Sequence, residues 1–238
     1  MPWIKLLPLA LLLGATTNLA ADTTKLNKRI DRGEILVDWL EANMQTALWT
    51  LDEQRIDHLL LAAMRHQFVR FASVVDSQLG FSRAYEREEN KLAAKEYFYE
   101  RKLYANSHYI GHIQVSTRGD NPISFYLQTD AEELDFIANL LAISCAELQW
   151  TFNTPDIQRL LAWALKHPLN SQDKIALEGI EIFDEKDNFQ FGLKYRDNQI
   201  VSYSQRDESI LALHTAIAKP LFYNDQAVGR MEIIFRRL

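Results

Sequence analysis

The chain has 238 residues, with 26 basic and 32 acidic side chains and a formal charge of −6 at pH 7. An acidic chain without a basic block binds nucleic acid and anionic membrane surfaces poorly, so we expect neither partner. A hydrophobic content of 47% supplies a core and excludes a disordered chain. The single cysteine, Cys145, excludes an internal disulfide and a paired-cysteine zinc site, and its apolar surroundings favour a buried hydrophobic role.

The first 21 residues have the composition of a secretory signal peptide. They combine Lys5, an apolar run from Leu6 to Ala15, and small residues that end at Ala21. Because the run is shorter than the roughly 20 residues that span a bilayer, we predict cleavage near Ala21 and a periplasmic protein. The alternative is an inner-membrane anchor formed by residues 4–20.

One stretch of the sequence recurs. ALWTLDEQRIDHLLLAAMRH (47–66) returns as LQWTFNTPDIQRLLAWALKH (148–167), with seven identities in the 18 positions that begin at Trp49 and Trp150, an offset of 101. Further on, RKLYANSHYIGHIQV (101–115) matches KPLFYNDQAVGRMEI (219–233) at an offset of 118. The repeat predicts two copies of one fold. The rise in offset predicts about 17 extra residues in the second copy, within 169–210.

The first copy begins with helices and continues with strands. Apolar residues at spacings of three and four predict a long helix over 32–49. A polar break, with Thr50 or Asp52 as the cap, predicts a second helix that ends near His66. Alternating apolar residues predict strands after it. These strands are 68–76, 80–87, 96–106 and 109–116.

The second copy follows the same order. A long helix is predicted over 130–150, and a second helix begins after Asn153 or Thr154, with Pro155 in its first turn. The strands of this copy are predicted at 175–184, 189–195, 199–205, 211–224 and 227–235. Asn106 and Asn224 mark equivalent hairpin turns, since asparagine tolerates turn geometry. Helices grouped before strands predict an α+β fold with antiparallel sheets.

Turn-forming residues separate the two copies. The segment RGDNPIS (118–124) carries a glycine, an aspartate, an asparagine and a proline in succession, a composition that ends strands. We therefore predict a signal peptide at 1–21, a first domain at 22–121 and a second domain at 122–238.

The order of motifs in each copy resembles a known family. A long helix running into L/Q-W-T-L/F, a helix with I-x-x-L-L, strands, and a hairpin with N-x-x-x-x-G before a hydrophobic strand resemble the Cache and PAS-like domains of bacterial transmembrane receptors. Those extracytoplasmic domains precede histidine kinases, diguanylate cyclases and chemoreceptors. Each of the two copies resembles one such domain, and together they cover nearly all of the chain beyond residue 21. It implies two tandem sensor domains, each a long helix and a second helix packed on an antiparallel sheet.

The resemblance also implies a role in signal transduction, as in two-component systems. Receptors of this family continue from the last strand into a second membrane helix and an output domain, whereas this sequence stops at Leu238. We therefore expect either a soluble periplasmic relative or a sensor region without its output domain.

Polar and aromatic residues on strands and in the added loops are the ligand-binding candidates, because small-ligand sites place a few polar groups in apolar walls. The candidates in the first copy are Tyr85, Tyr97, Tyr99 and Arg101, and those in the second are Tyr195, Tyr203, Arg206, Asp207 and His214. The second copy is favoured because it carries the extra residues. Core packing or a solvated loop is the alternative for every one of them.

Six further residues are predicted to be structural. Trp49 and Trp150 occupy equivalent helix junctions, which favours a wedge that holds the two helices against the sheet. Gly111 and Gly229 occupy equivalent places in the closing hairpins. His66 and His167 end equivalent helices, where histidine caps the helix carbonyls.

The sequence lacks the GxSxG, GxGxxG, P-loop and HExxH signatures of common enzymes. We therefore predict a non-enzymatic periplasmic sensory module with no cofactor and no metal. It binds a small molecule or a partner protein and relays a displacement of the long helix against the last hairpin. The alternatives are a secreted enzyme with an unrecognised site and a protein–protein adaptor. The long apolar stripes also predict either a homodimer through the long helices or packing within the monomer.

Overall fold

The computed structural model describes residues 30–87, 96–118, 126–127, 130–166, 175–196, 199–206 and 214–237. The predicted signal peptide, the linker at 119–124, His167 and Asp207 lie outside these residues. We refer to residues 30–118 as the first half and to residues 126–237 as the second half.

The first half contains two helices and a four-stranded antiparallel sheet. Its elements are β1 (Ile30–Asp31), α1 (Arg32–Trp49), α2 (Glu53–Met64), β2 (Val69–Asp76), β3 (Ser82–Glu86), β4 (Glu96–Ala105) and β5 (His108–Arg118). The strand order is β3-β2-β5-β4. The short strand β1 stands outside this sheet and leads directly into α1.

The second half repeats this plan with one more strand at the edge. Its elements are β6 (Tyr126–Leu127), α3 (Asp130–Trp150), α4 (Thr154–Lys166), β7 (Ile175–Phe183), β8 (Phe189–Arg196), β9 (Gln199–Tyr203), β10 (Thr215–Tyr223) and β11 (Gln226–Arg237). The strand order is β10-β11-β7-β8-β9. The predicted α+β fold with antiparallel sheets is confirmed, and β8-β7-β11-β10 corresponds to β3-β2-β5-β4.

Strand register locates the extra residues of the second half. Ser73 of β2 pairs with Gln114 of β5 in the way that Glu181 of β7 pairs with Glu232 of β11. The offset between equivalent residues of the two halves is therefore 101 in the helices, 108 between β2 and β7, and 118 in the closing strand. Seven of the 17 extra residues precede β7, and ten lie between β8 and β10.

The closing hairpins of the two halves share their backbone geometry. Asn106 and Asn224 both have a φ of 48°, as the predicted turns require. A Cβ atom added at Gly111 would lie 2.1 Å from the Val75 carbonyl oxygen, and one added at Gly229 would lie 2.2 Å from that of Phe183. Only a residue without a side chain fits at either place.

The long helices lie at the centre of the molecule. Helix α1 packs on β4 and β5 of its own sheet and also contacts α3 and α4 of the other half. This two-sided packing buries five neighbouring positions between Ile35 and Leu40. The buried hydrophobic residues of the two halves form one continuous core. The apolar stripes that suggest a homodimer are therefore covered by packing within the chain.

Reciprocal contacts relate the two halves by an approximate twofold axis. Arg55 of α2 donates to Asp156 of α4 at 2.6 Å, and these two residues occupy equivalent positions of the repeat. His58 lies 3.8 Å from Glu147. The equivalent residues of the repeat are Arg159 and Thr46, and Arg159 donates to the Thr46 hydroxyl oxygen. A contact in which i meets j and j meets i is the mark of an isologous interface. The strands β1 and β6, which precede the long helices, also pair with each other.

Candidate functional site

The turns between the paired helices have the same construction in both halves. Thr50 and Thr151 end the long helices, and each hydroxyl donates back to a carbonyl four residues earlier, at 3.0 and 3.1 Å. The next residues, Leu51 and Phe152, have φ values of 51° and 55°, a left-handed conformation that is rare for such side chains. Both side chains are exposed, Leu51 by 39% and Phe152 by 89%.

The caps that follow these turns are polar in both halves. The carboxylate of Asp52 accepts the backbone N–H of Arg55 at 3.1 Å, and the side-chain oxygen of Asn153 accepts that of Asp156 at 3.4 Å. This pattern explains why W-T-L-D and W-T-F-N recur in the sequence. Each motif ends one helix and caps the next.

In the first half, ion pairs bridge the space between the helix tip and the sheet. Arg83 of β3 donates to Glu53 at 2.7 Å, and its Nε lies 2.9 Å from a carboxylate oxygen of Asp57. The hydroxyl of Tyr85 donates to the same oxygen of Asp57 at 2.8 Å. Both acidic residues lie on α2, so these contacts fasten that helix to the edge strand.

In the second half, uncharged residues replace every member of this bridge. Phe191 takes the place of Arg83, because each pairs with the equivalent residue of the neighbouring strand. The helix offset places Thr154 at the position of Glu53 and Gln158 at that of Asp57. These residues form no counterpart of the Arg83 ion pairs.

A cleft of about 510 Å³ opens at this place in the second half. We call it the second-half cleft. Its apolar wall is formed by Trp150, Phe152, Phe191 and Val228, and its polar groups come from Gln149, Thr154, Gln190 and the turn 184–186. The volume lies within the range of about 300–1,000 Å³ that small-molecule sites occupy.

The charged rim of the cleft is held by a tight turn between β7 and β8. The side chain of Asp184 accepts the backbone N–H groups of Lys186 and Asn188 at 2.9 and 2.8 Å, and the side-chain amide of Gln190 at 3.1 Å. The hydrogen bonds from Asn188 lower the pKa of this carboxyl group below its usual value. The rim therefore carries a fixed negative charge beside Lys186.

Two predicted site residues meet on the face of the second sheet that points away from the helices. The hydroxyl of Tyr203 donates to Glu181 at 2.9 Å, and Arg206 donates to Glu181 at 3.2 Å and to Glu232 at 2.7 Å. Glu181 is fully buried. The ring of Tyr203 lies over Gly192, where an added Cβ atom would be 2.4 Å away. These polar groups bond to one another rather than lining the second-half cleft.

Two predicted residues of the first half, Tyr99 and Arg101, attach β4 to α1 and its cap. The hydroxyl of Tyr99 donates to both carboxylate oxygens of Asp31, the cap of α1, at 2.9 and 2.8 Å. Burial of the ring and this hydrogen bond raise the pKa of the Tyr99 hydroxyl. Arg101 donates to Asp38 at 2.8 Å and to Glu34. Tyr97 packs against the core on the same face of the strand.

The remaining predicted residues fall at separate places. The hydroxyl of Tyr195 donates to the carbonyl of Leu165 at 2.8 Å and joins β8 to the end of α4. His214 lies immediately before β10. The tryptophans at the two helix junctions, Trp49 and Trp150, are 52% and 49% exposed, so neither ring is a buried wedge. Trp150 stacks on Tyr223 at a centroid distance of 5.8 Å and lines the second-half cleft.

Cys145 is fully buried in the part of the chain that the structure describes. Burial raises the pKa of the Cys145 thiol to about 12, so the thiolate nucleophile is suppressed at neutral pH. Among the described residues, no group of three or more histidine, cysteine, aspartate or glutamate side chains is arranged to hold a metal ion. None of the described helices is both long and apolar enough to cross a bilayer.

Sequence reasoning missed most of the cleft. Phe191, Gln190 and Val228 lie within predicted strands, but no pattern marks their side chains as neighbours of a helix tip. A signal does exist in the repeat. Alignment at the offset of 108 pairs Phe191 with Arg83 and reveals a charged residue exchanged for an aromatic one.

Comparison with known proteins gives no relative from which a function can be transferred. No protein-family model matches the chain, and neither a curated protein nor a solved structure is significantly similar to it.

Proposed function

We propose that the chain is a non-enzymatic periplasmic sensory module and that its second half binds a small molecule in the second-half cleft. One observation carries the proposal: the place that Arg83 bridges in the first half is an open, aromatic-walled cleft of about 510 Å³ in the second. The resemblance of both halves to Cache and PAS-like sensor domains agrees with this role. The periplasmic location rests on the predicted signal peptide.

The lining of the cleft suits a flat molecule with hydrogen-bonding groups. Trp150, Phe152 and Phe191 offer ring faces, and aromatic stacking contributes about 0.5–1.5 kcal/mol beyond simple burial. Thr154 and Gln190 offer uncharged polar groups that fix orientation. A nucleobase or an amino acid with an aromatic side chain has this combination.

A ligand in the cleft would contact both the helix tip and the closing hairpin. Its walls come from the tip of α3 and α4, the turn between β7 and β8, and Val228 of β11. Val228 adjoins Gly229, at the hairpin that closes the second sheet. A ligand that draws these walls together shifts the long helix relative to the last hairpin. Coupling of about 1–3 kcal/mol suffices for signalling.

A thermal-shift screen against amino acids, nucleobases and organic acids tests the proposal. A ligand that binds only the native state at about 100 times its Kd adds about 2.7 kcal/mol, and raises Tm by roughly 5–10 °C in a chain of this size. We expect at least one such compound and no turnover of it. Turnover in a hydrolase screen would instead support the enzyme alternative.

A triple variant provides the decisive control. Phe191→Arg with Thr154→Glu and Gln158→Asp transfers the bridge of the first half to the second, and we expect it to abolish the ligand-induced shift while the protein stays folded. The matched variant Arg83→Phe changes the equivalent position of the first half and should retain the shift. If no compound stabilises the wild type, or if the triple variant still responds, the cleft is not the binding site.

A further inference from the structure

A second cavity, of about 350 Å³, lies between the halves at the tips of the helix pairs. We call it the helix-tip cavity. The first half lines it with Asp52 and Arg55, at the start of α2. The second half lines it with residues from the end of α3 to the first turn of α4, among them Glu147, Thr151 and Asn153. The volume suits a small molecule.

Glu147 brings an unsatisfied carboxylate to this cavity. The residue is 7% exposed. Among the described residues, the closest basic group is Nε2 of His58, which lies 3.8 Å from a carboxylate oxygen and is too distant for a hydrogen bond. The Glu147 side chain keeps 9% of its surface accessible, so a ligand in the cavity can reach it. A buried carboxylate without a donor is unfavourable unless it takes up a proton or pairs with a cation. Burial accordingly raises the pKa of Glu147 to about 7.

The charge of the lining favours a cation. The guanidinium of Arg55 is already engaged, because it donates to Asp156 at 2.6 Å. Asp52 and Glu147 are the acidic residues of the lining, and the charge of Asp52 raises the pKa of Glu147 further. His58 adds little positive charge at pH 7, because burial and the neighbouring arginines lower its pKa. A cation between the two carboxylates would be attracted by both.

The twofold relation between the halves indicates the kind of cation. Thr46 occupies the position of Glu147 in the first half, and the guanidinium of Arg159 crosses the interface to donate to its hydroxyl oxygen. The residue equivalent to Arg159 is His58, whose shorter side chain stops 3.8 Å from Glu147. A guanidinium of the chain therefore supplies the donor on one side of the interface. The other side presents a carboxylate beside a cavity.

We propose that the helix-tip cavity binds a small guanidinium compound, whose N–H groups donate to the carboxylates of Glu147 and Asp52. A planar guanidinium presents its N–H groups in the geometry that a carboxylate accepts. Glu147 releases its proton to solvent as the cation binds, so binding strengthens as pH rises. Such a ligand contacts both halves at once, and it is independent of the molecule that the second-half cleft takes.

Calorimetric titration of the full chain with methylguanidinium tests this site, at millimolar concentrations where denaturation by guanidinium is negligible. We expect saturable binding to the wild type and none of methylurea, which has the same shape without the charge. Binding should be about tenfold tighter at pH 8 than at pH 6, because the ionised fraction of Glu147 rises from about one-tenth to about nine-tenths. The guanidinium itself stays charged at both pH values.

Two variants identify the groups that bind. Glu147→Gln should weaken methylguanidinium binding by about tenfold or more at pH 8 and remove its pH dependence, since it deletes the charged acceptor. His58→Arg gives the first half the arginine that the second half has at this position. We expect its side chain to pair with Glu147 and exclude methylguanidinium. The matched control Glu185→Gln removes an acidic group of the second-half cleft and should leave the binding unchanged.

Three results would each overturn the proposal. The first is the absence of saturable methylguanidinium binding to the wild type, or equal binding of methylurea. The second is binding that both Glu147→Gln and His58→Arg leave unchanged. The third is loss of binding in Glu185→Gln, which would place the cation in the second-half cleft instead.

Discussion

The tip of the helix pair is fastened to the sheet by charge in the first half and left open in the second. The backbone is the same in both: a back-bonded threonine, a left-handed residue and a polar cap. Three positions differ between the halves. Arg83, Glu53 and Asp57 of the first half form an ion-paired bridge. Their equivalents in the second half are Phe191, Thr154 and Gln158, and an aromatic cleft lies there instead. A duplicated scaffold can thus bridge the helix tip to the sheet in one copy and leave a cleft at the same place in the other.

The interface between the halves shows the same divergence. Its central pair, Arg55 and Asp156, is charged and buried, whereas the flanking pairs differ: Arg159 faces a threonine on one side and His58 faces Glu147 on the other. The twofold relation fixes where these side chains meet. The residue types at each place are free to change.

Removal of the central acid should give the largest loss of stability. Asp156→Leu deletes the partner of Arg55 at 2.6 Å and of Arg159 at 2.5 Å, and leaves the first of these charges buried. Breaking a buried pair from one side costs about 3–5 kcal/mol, which urea denaturation would measure. The double variant Arg55→Leu with Asp156→Leu should recover most of that loss. Equal losses in the two proteins would show that the pair itself stabilises the interface.

Alanine at the hairpin glycines should be nearly as costly. A Cβ atom would meet a backbone oxygen at 2.2 Å in Gly229→Ala and at 2.1 Å in Gly111→Ala. Gly229 also has a φ of 154°, which an L-residue adopts only with strain. We expect losses of about 4 kcal/mol for Gly229→Ala and about 3 kcal/mol for Gly111→Ala in denaturant titrations. A larger loss for Gly111→Ala than for Gly229→Ala would contradict the expectation that the positive φ of Gly229 adds to its loss of stability.

Much of this scaffold could be predicted because its signals are local. The helices at 32–49 and 130–150 and the hairpin asparagines follow from residue periods and turn chemistry within short windows. The repeat adds a check, because each element is predicted twice. The continuous core between the halves has no local signal, since the same apolar stripe serves a homodimer or packing within the chain.

The cleft was harder to predict because it depends on contacts between distant segments. Trp150 lies at the helix junction that the sequence predicts. It lines a cavity only because Phe191 and Val228, which are distant in sequence, approach it in the folded chain. The sequence predicts Tyr203 and Arg206 as ligand-binding residues because they are polar and lie in the half that carries the extra residues. They do converge, but on Glu181, an acidic residue inside a predicted strand that no pattern distinguished.

Protonation of Glu147 should make the stability of the interface depend on pH. Burial raises the pKa of this carboxyl group from 4.5 to about 7, against the opposing charge of Arg55, with Asp52 raising it further. The folded state therefore keeps a proton that the unfolded state loses, so stability falls as pH rises from about 4.5 to about 7.

Comparison with Glu147→Gln isolates this effect from that of His58, which lies 3.8 Å away and has a pKa lowered by its burial. As pH rises from 4.5 to 7, the free energy of unfolding of the variant should increase by about 2–3 kcal/mol relative to that of the wild type. Urea titrations at several pH values would measure the difference. Parallel stability curves for the two proteins would mean that Glu147 ionises normally.

The smallest effect is expected from opening the first half. Arg83→Phe with Glu53→Thr and Asp57→Gln gives the first half the residues of the second, and removes ion pairs whose side chains are about one-third to two-thirds exposed. Exposed pairs of this kind contribute about 0.2–1 kcal/mol each and are screened by salt. We expect a loss of about 1 kcal/mol at low ionic strength that shrinks in high salt. A loss that salt leaves unchanged would mean that packing, and not charge, fastens the first helix tip to its sheet.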